Sequence, residues 1–186
     1  LKKYFPKTKK PLIVVNAGGH SQEAPLGVSE RKIRYDVILD SLSKLDQEEI
    51  ELIPQTMPPF PWHFGGQRFH NLFMDPDETA EFCRQNGYRV CLDISHSKLA
   101  CNHHKWSFKN FVEVVAPHSA LYHIVDANGV DGEGLQIGEG DVDFVSLGEH
   151  LNELSPNIGF IPEIWQGHKN GGEGFWIALN KLEQWF

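Results

Sequence analysis

The sequence predicts an α/β protein of the parallel (β/α)-barrel type, with about five of the eight βα units present in this chain. Two observations carry that reading. Apolar runs of strand length alternate with segments of helical spacing, five times in order. Polar strings then sit at the far end of the runs: Pro54-Gln55-Thr56, Leu92-Asp93-Ile94-Ser95-His96, His123-Ile124-Val125-Asp126 and Pro162-Glu163-Ile164. In a parallel barrel only the C-terminal rim of the sheet escapes burial, so side chains gathered there line a pocket.

The elements follow in order. Pro11 to Val15 is a β-branched run that leads into Asn16-Ala17-Gly18-Gly19-His20, a strand closed by a glycine turn. Ser29 stands at the expected cap of a helix whose apolar positions are Ile33, Val37, Ile38, Leu39, Leu42 and Leu45. A strand over 50–56 comes next. Residues 57–74 are rich in proline, glycine and aromatics and too long for an ordinary connection, which predicts a functional loop or lid bearing His63, Arg68 and His70. Asp75-Pro76-Asp77-Glu78 opens a second helix that Gly87 closes. The run 88–94 is a strand. Trp106, Phe108, Phe111, Val112 and Val115 give a helical spacing within 97–117, followed by a strand over 121–125, a helix over 144–154 and a strand over 158–164. Residues 171–186 close the chain as an amphipathic helix whose Phe175, Trp176, Trp185 and Phe186 suit packing or an interface. Five units cannot close a barrel of eight. Either the sheet is open, or an upstream domain or a second copy supplies the rest, since open parallel edges are sticky.

At 186 residues with 40% hydrophobic content, the expectation is a single domain over 1–186. The net charge of −8, with basic residues concentrated only at Lys2, Lys3 and Lys7 to Lys10, argues against a nucleic-acid partner. Cys83, Cys91 and Cys101 are odd in number and lack the paired spacing of a zinc knuckle, so they read as reduced thiols in a cytoplasmic protein. No apolar stretch approaches spanning length, which predicts no membrane partner.

Taken singly, Asp93 and Glu163 would read as ordinary capping or salt-bridging acids. Together with His123 they suggest one metal site assembled from successive strands. Carboxylates with one imidazole suit Mn²⁺, Mg²⁺, Co²⁺ or Zn²⁺ and leave positions open for further oxygen ligands. His103-His104 resembles a metal pair, yet adjacent helical residues point about 100° apart. Gly171-Gly172-Glu173-Gly174 could offer backbone amides to a phosphate, although Glu173 would repel it.

LDISHS at 92–97, HIVDANG at 123–129, IGEGDVDF at 137–144 and PEI at 162–164 resemble, in order, the last half of the xylose isomerase-like TIM barrels. That superfamily contains sugar isomerases, epimerases and apurinic endonucleases. The resemblance places NAGG at 16–19 on the fourth barrel strand and puts the absent part at strands one to three. It implies metal ligands at Gln55, Asp93, His123 and Glu163, with Glu163 doubling as catalytic base or acid. It also implies that His96 contacts substrate or assists a second metal, and that Asp126 orients His123.

One departure stands out: Gln55 occupies a ligand position where the family carries glutamate, and an amide is a poorer ligand and no base. That removes one of the two bases of an epimerase and leaves Glu163. A one-base isomerase survives this loss, as does a non-catalytic ligand-binding or assembly domain of a larger carbohydrate-biosynthesis protein. A metal-dependent phosphodiesterase is the third reading. It is weakened because Gly132-Glu133-Gly134 stands where nucleases supply aspartate and histidine ligands. The expected partner is a small-molecule sugar.

Overall fold

Residues 10–60 and 68–186 are described by the structure, a computed structural model. The strands β1 (Leu12–Val15), β2 (Glu51–Pro54), β3 (Val90–Asp93), β4 (Ser119–Ile124), β5 (Asp126–Asn128), β6 (Gly132–Leu135) and β7 (Phe160–Pro162) are interspersed with helices, β4 to β6 following one another directly. These are α1 (Val28–Ser43), α2 (Pro76–Asn86), α3 (Ile94–His104), α4 (Phe108–Val115), α5 (Phe144–Leu154) and α6 (Lys169–Leu182).

Five of the strands form a parallel arc in the order β1, β2, β3, β4, β7. A parallel bridge between Gln55 and Cys91 joins the first pair to the other three. The arc does not close, as the count of units requires. Its flanks leave apolar side chains in the open: Ile33 on α1 is 62% exposed and Ile161 on β7 is 48% exposed.

Strand periodicity divides the core in two. Leu52, Val90, Leu92, Tyr122 and Ile124 face outward into the main cluster with Phe82, Phe111, Val112, Val115, Leu147 and Leu151 of the helices. Ile53, Cys91 and Ala120 form a smaller cluster on the inner face, with Leu12, Val14 and Leu121 packed against it. Two residues on from Ile53, Cys91 and Leu121, the side chains of Gln55, Asp93 and His123 keep to that inner face and arrive at the C-terminal rim.

Several ends match the sequence reading. Asp75 caps α2 by accepting from the Asp77 and Glu78 amides at 2.9 and 3.1 Å, Pro76 opens the helix, and Gly87 ends it at φ 71°. The final aromatics pack as expected in part: Trp185 stacks on Phe144 at 5.8 Å and Phe186 meets Phe160 at 5.6 Å, while Trp176 is exposed.

Other ends differ. Gly27, not Ser29, caps α1, because the Glu30 carboxylate reaches back to its amide at 2.9 Å. The expected helix within 97–117 is two: Lys105 turns left-handed at φ 61°, and the Ser107 hydroxyl accepts from the Asn110 amide to start α4. α3 begins directly at the end of β3, so His96 lies on a helix. The antiparallel hairpin of β5 and β6 has no counterpart in the sequence reading.

Candidate metal centre

Asp93 closes β3 and caps α3, and the two roles use different oxygens. Oδ1 accepts from the His96 amide at 2.9 Å; Oδ2 faces the inner cavity and accepts from the Gln55 amide nitrogen at 2.7 Å. Thr56 locks this junction. Its hydroxyl accepts from the Asp93 amide at 2.9 Å and stands 3.1 Å from the Ser97 hydroxyl, which donates to the Asp93 carbonyl at 2.6 Å.

His123 enters from β4, directly opposite Asp93 in the register. Its Nδ1 stands 2.8 Å from Glu163 Oε2, 3.5 Å from Asp93 Oδ2 and 3.2 Å from the Gln55 amide nitrogen. One donor atom each from Asp93, His123 and Glu163 lies within 4.8 Å of the other two. Among the described residues this is the one such group of three or more. The burial is graded, with Asp93 at the floor and Glu163 open to solvent at the mouth. The donor set therefore fits a divalent cation: two carboxylates of differing exposure and one imidazole, with the exposed side free for a ligand. Gln55 completes the ring but turns its amide nitrogen inward, so it acts as a hydrogen donor to Asp93 and would have to flip to present oxygen to a cation.

The electrostatics follow from this crowding. Burial works against charge on His123, but bonds to Asp93, Cys91 and Glu163 overcome it and push the ring up to about 12. His96 behaves alike: burial lowers it, while the Asp93 charge and the bonds to Glu133 and Thr56 raise it to about 9. Burial opposes ionisation of Asp93, yet the two histidines hold its carboxyl below the usual range. Protons on the imidazoles balance the buried aspartate where a cation would otherwise do so.

Other residues singled out from sequence fall elsewhere. Asp126 does not orient His123. It is buried at the base of the hairpin, where Oδ1 accepts from the Ala127 and Val142 amides and Oδ2 from those of Gly138 and Gly140, so it shapes a loop. His104 stacks on Trp106 at 4.2 Å and His103 meets Phe60 edge-on at 4.9 Å, so both serve packing. Asn170, Gly171 and Gly172 are all left-handed, and Glu173 is held by the Asn170 amide at 2.8 Å. Of the lid residues, His63 lies outside the described residues, as do Lys2, Lys3 and Lys7 to Lys9. Arg68 is exposed, and His70 is buried and donates from Nδ1 to the Pro58 carbonyl at 2.9 Å. Glu133, which the sequence reading treated only as an absent ligand, bonds to His96 at 2.9 Å.

His70 carries a testable consequence. Burial, reinforced by His20 at 4.3 Å between ring centres, lowers its pKa from the ordinary 6.5 to about 4 against the pull of the Pro58 bond. The unfolded chain takes up this proton near 6.5 and the folded one does not until about 4. Stability is thus whole above 6.5 and drains as pH falls through that window, by roughly 3 kcal/mol. Thermal melts between pH 6.5 and 4.5 should show a shallower slope for His70→Gln than for wild type; equal slopes would place the acid lability elsewhere.

The whole pattern has a match among known families: residues 7–182 fit the model of the xylose isomerase-like TIM barrel. The chain belongs to that family. Comparison with curated protein sequences gives no match. Among solved structures the family member resembles a D-tagatose 3-epimerase-like protein at 22% identity, with a TM-score of 0.62 over 94% of this chain and 64% of the other. It also resembles D-psicose 3-epimerase from Clostridium cellulolyticum H10, at 12% identity and a TM-score of 0.64 over 94% and 64%. A probable 3-DHS dehydratase from Bacillus anthracis aligns at 14% identity and 0.62 over 92% and 63%. The chain thus spans under two thirds of these proteins' lengths, and at such identities the likeness is one of fold.

Proposed function

We propose that this chain is the C-terminal part of a divalent-metal-dependent sugar isomerase or epimerase-like protein, acting by proton transfer beside a carbonyl. The observation that supports it is the meeting of Asp93, His123 and Glu163 at the rim of the arc. Sugar epimerases of the same fold add to it. Residues 1–186 would form one domain, with the remaining units supplied upstream or by another copy. A cytoplasmic setting is supported by three buried thiols that form no disulfide. No helix among the described residues is long and apolar enough to cross a membrane.

Asp93, His123 and Glu163 would hold Mn²⁺, Mg²⁺, Co²⁺ or Zn²⁺, with Gln55 as a weak fourth ligand. Bound there, the ion would polarise a sugar carbonyl and acidify the neighbouring C–H. Glu163, at the solvent end of the group, would take up that proton and return it. His96 would steady a substrate hydroxyl, while Thr56 and the α3 cap keep Asp93 fixed. Gln55 carries no base, so proton transfer falls to Glu163 on one face.

Glu163→Gln should lower kcat on a ketohexose panel by about 10²- to 10⁴-fold. Stoichiometric metal in purified wild type, by elemental analysis, would accompany that loss. Full turnover by the variant would remove Glu163 from the chemistry. Protein that keeps its fold but takes up no added metal would favour the second reading, a binding or assembly domain. The inward Gln55 amide, which already satisfies Asp93, is the observation on that side.

A further inference from the structure

The hairpin of β5 and β6 rises from the rim immediately after β4, the strand that delivers His123. It is a braced arm. Asp126 at its foot binds four backbone amides, and the hairpin packs along α3. Two adjacent residues of β6, Glu133 and Gly134, tie it to opposite sides of the metal centre. Glu133 Oε1 stands 2.9 Å from His96 Nε2 on α3. The Gly134 carbonyl accepts from the Trp165 amide at 2.8 Å, two residues past Glu163. Gly134 sits at φ +75°, and a Cβ there would come within 3.0 Å of the Trp165 Cβ, so glycine permits the close approach.

The polar groups line the mouth in a row, in which the Gln55 amide nitrogen and His96 Nδ1 both donate to other partners and are neighbours rather than hydrogen-bonded. Glu133 meets His96 at 2.9 Å, His96 Nδ1 lies 3.4 Å from the Gln55 amide nitrogen, that nitrogen lies 3.2 Å from His123 Nδ1, and His123 meets Glu163 at 2.8 Å. A carboxylate stands at each end and a neutral amide in the middle. His96 Nδ1 also faces the Thr56 carbonyl at 2.8 Å, an oxygen that only accepts, so this nitrogen donates and Nε2 is the one turned toward the hairpin. The His96 side chain is 10% exposed, whereas the Glu133 side chain is 28% exposed. Losing the carboxylate would leave a desolvated ring nitrogen without its partner, which distinguishes this pair from a surface ion pair.

We propose that Glu133 is a positioning residue: it pins the His96 imidazole at the mouth of the centre and restores, on the His96 side, a carboxylate that Gln55 does not supply. The proposal rests on the reading of the site given above. It predicts a defined arrangement for a sugar hydroxyl at His96, with acidic groups at both ends of the pocket.

The test uses the full chain loaded with Mg²⁺, comparing wild type, Glu133→Ala and Glu133→Gln. Two readouts are taken: ketohexose turnover, and the ¹⁵N and ¹H resonances of the histidine rings assigned with His96→Gln. Glu133→Ala should lower kcat about 10- to 100-fold with little change in KM or in bound Mg²⁺, and Glu133→Gln should recover part of it. The His96 ring signals should shift in both variants. Turnover within twofold of wild type in Glu133→Ala, or unmoved His96 signals, overturns the proposal while leaving the metal-centre reading intact. If wild type itself turns over no ketohexose, the reading of the function fails, and the ring signals alone decide: a shift supports the positioning role and constancy overturns it.

Discussion

Gln55→Glu is expected to exchange stability for metal affinity. In the present structure the amide nitrogen of Gln55 donates to Asp93 Oδ2 at 2.7 Å. A carboxylate in that place would face the buried Asp93 oxygen at hydrogen-bond distance, and the protonated His96 and His123 rings, 3.4 and 3.2 Å from the present amide nitrogen, offset only part of the repulsion between two desolvated carboxylates. The chelator-treated variant should therefore lose roughly 3 kcal/mol, about 6–12 °C in Tm for a chain of this size. With Mn²⁺ present the sign reverses. A fourth ligand that is charged should tighten binding by about 100-fold, close to 2.7 kcal/mol. Isothermal titration with Mn²⁺ and paired melts with and without chelator check both halves. If neither quantity moves, position 55 does not address the centre. Under the proposed function, the same variant should also gain two-face proton exchange, read as inversion of configuration at the reacting carbon, with solvent deuterium in the epimer formed.

Asp93 gives the largest loss. It is 1% exposed and serves three partners: the α3 amide at Oδ1, and the Gln55 amide and the imidazole side of the site at Oδ2. Asp93→Ala removes the cap, worth about 1 kcal/mol. It also removes the buried counter-charge shared by the His96 and His123 rings and leaves each only its more exposed glutamate, Glu133 or Glu163, a loss of about 3–5 kcal/mol. Such a variant should melt some 10–20 °C lower or fail to accumulate. Asp93→Asn separates fold from function, because asparagine is an equally good cap and can keep the Oδ1 bond. It should fold, with reduced stability, and lose at least about 10³-fold in divalent-metal affinity, roughly 4 kcal/mol. Wild-type metal affinity in Asp93→Asn would mean that no ion sits against this carboxylate.

The legible parts of the fold were those written in periodic burial. Each arc strand is a short apolar run, and the α2, α4 and α5 faces repeat at helical spacing, so type and order followed from the residues alone. Asp93, His123 and Glu163 were legible for a related reason: an acid or imidazole straight after a buried run has nowhere to go but the rim. The hairpin was not. β5 and β6 read Asp-Ala-Asn and Gly-Glu-Gly-Leu, residues with poor strand preference, and they pair because Asp126 gathers the backbone amides of 138–142 beneath them. Asp126 misled for the same reason, since a lone aspartate beside His123 does not reveal which donors will surround it. The break between α3 and α4 rests on the left-handed Lys105, a residue whose chemistry gives no warning of that turn.

The order of units, the inner and outer faces of each strand and the identity of the rim residues were thus set by the chain itself, because alternating burial is a one-dimensional property. Which side chains face one another was decided in three dimensions. The Gln55 amide lies against Asp93, and Glu133 lies against His96, across separations of 38 and 37 residues. Such pairings depend on strand register, on the path of the hairpin and on the tie from Gly134 to Trp165. None of these leaves a periodic trace in the sequence.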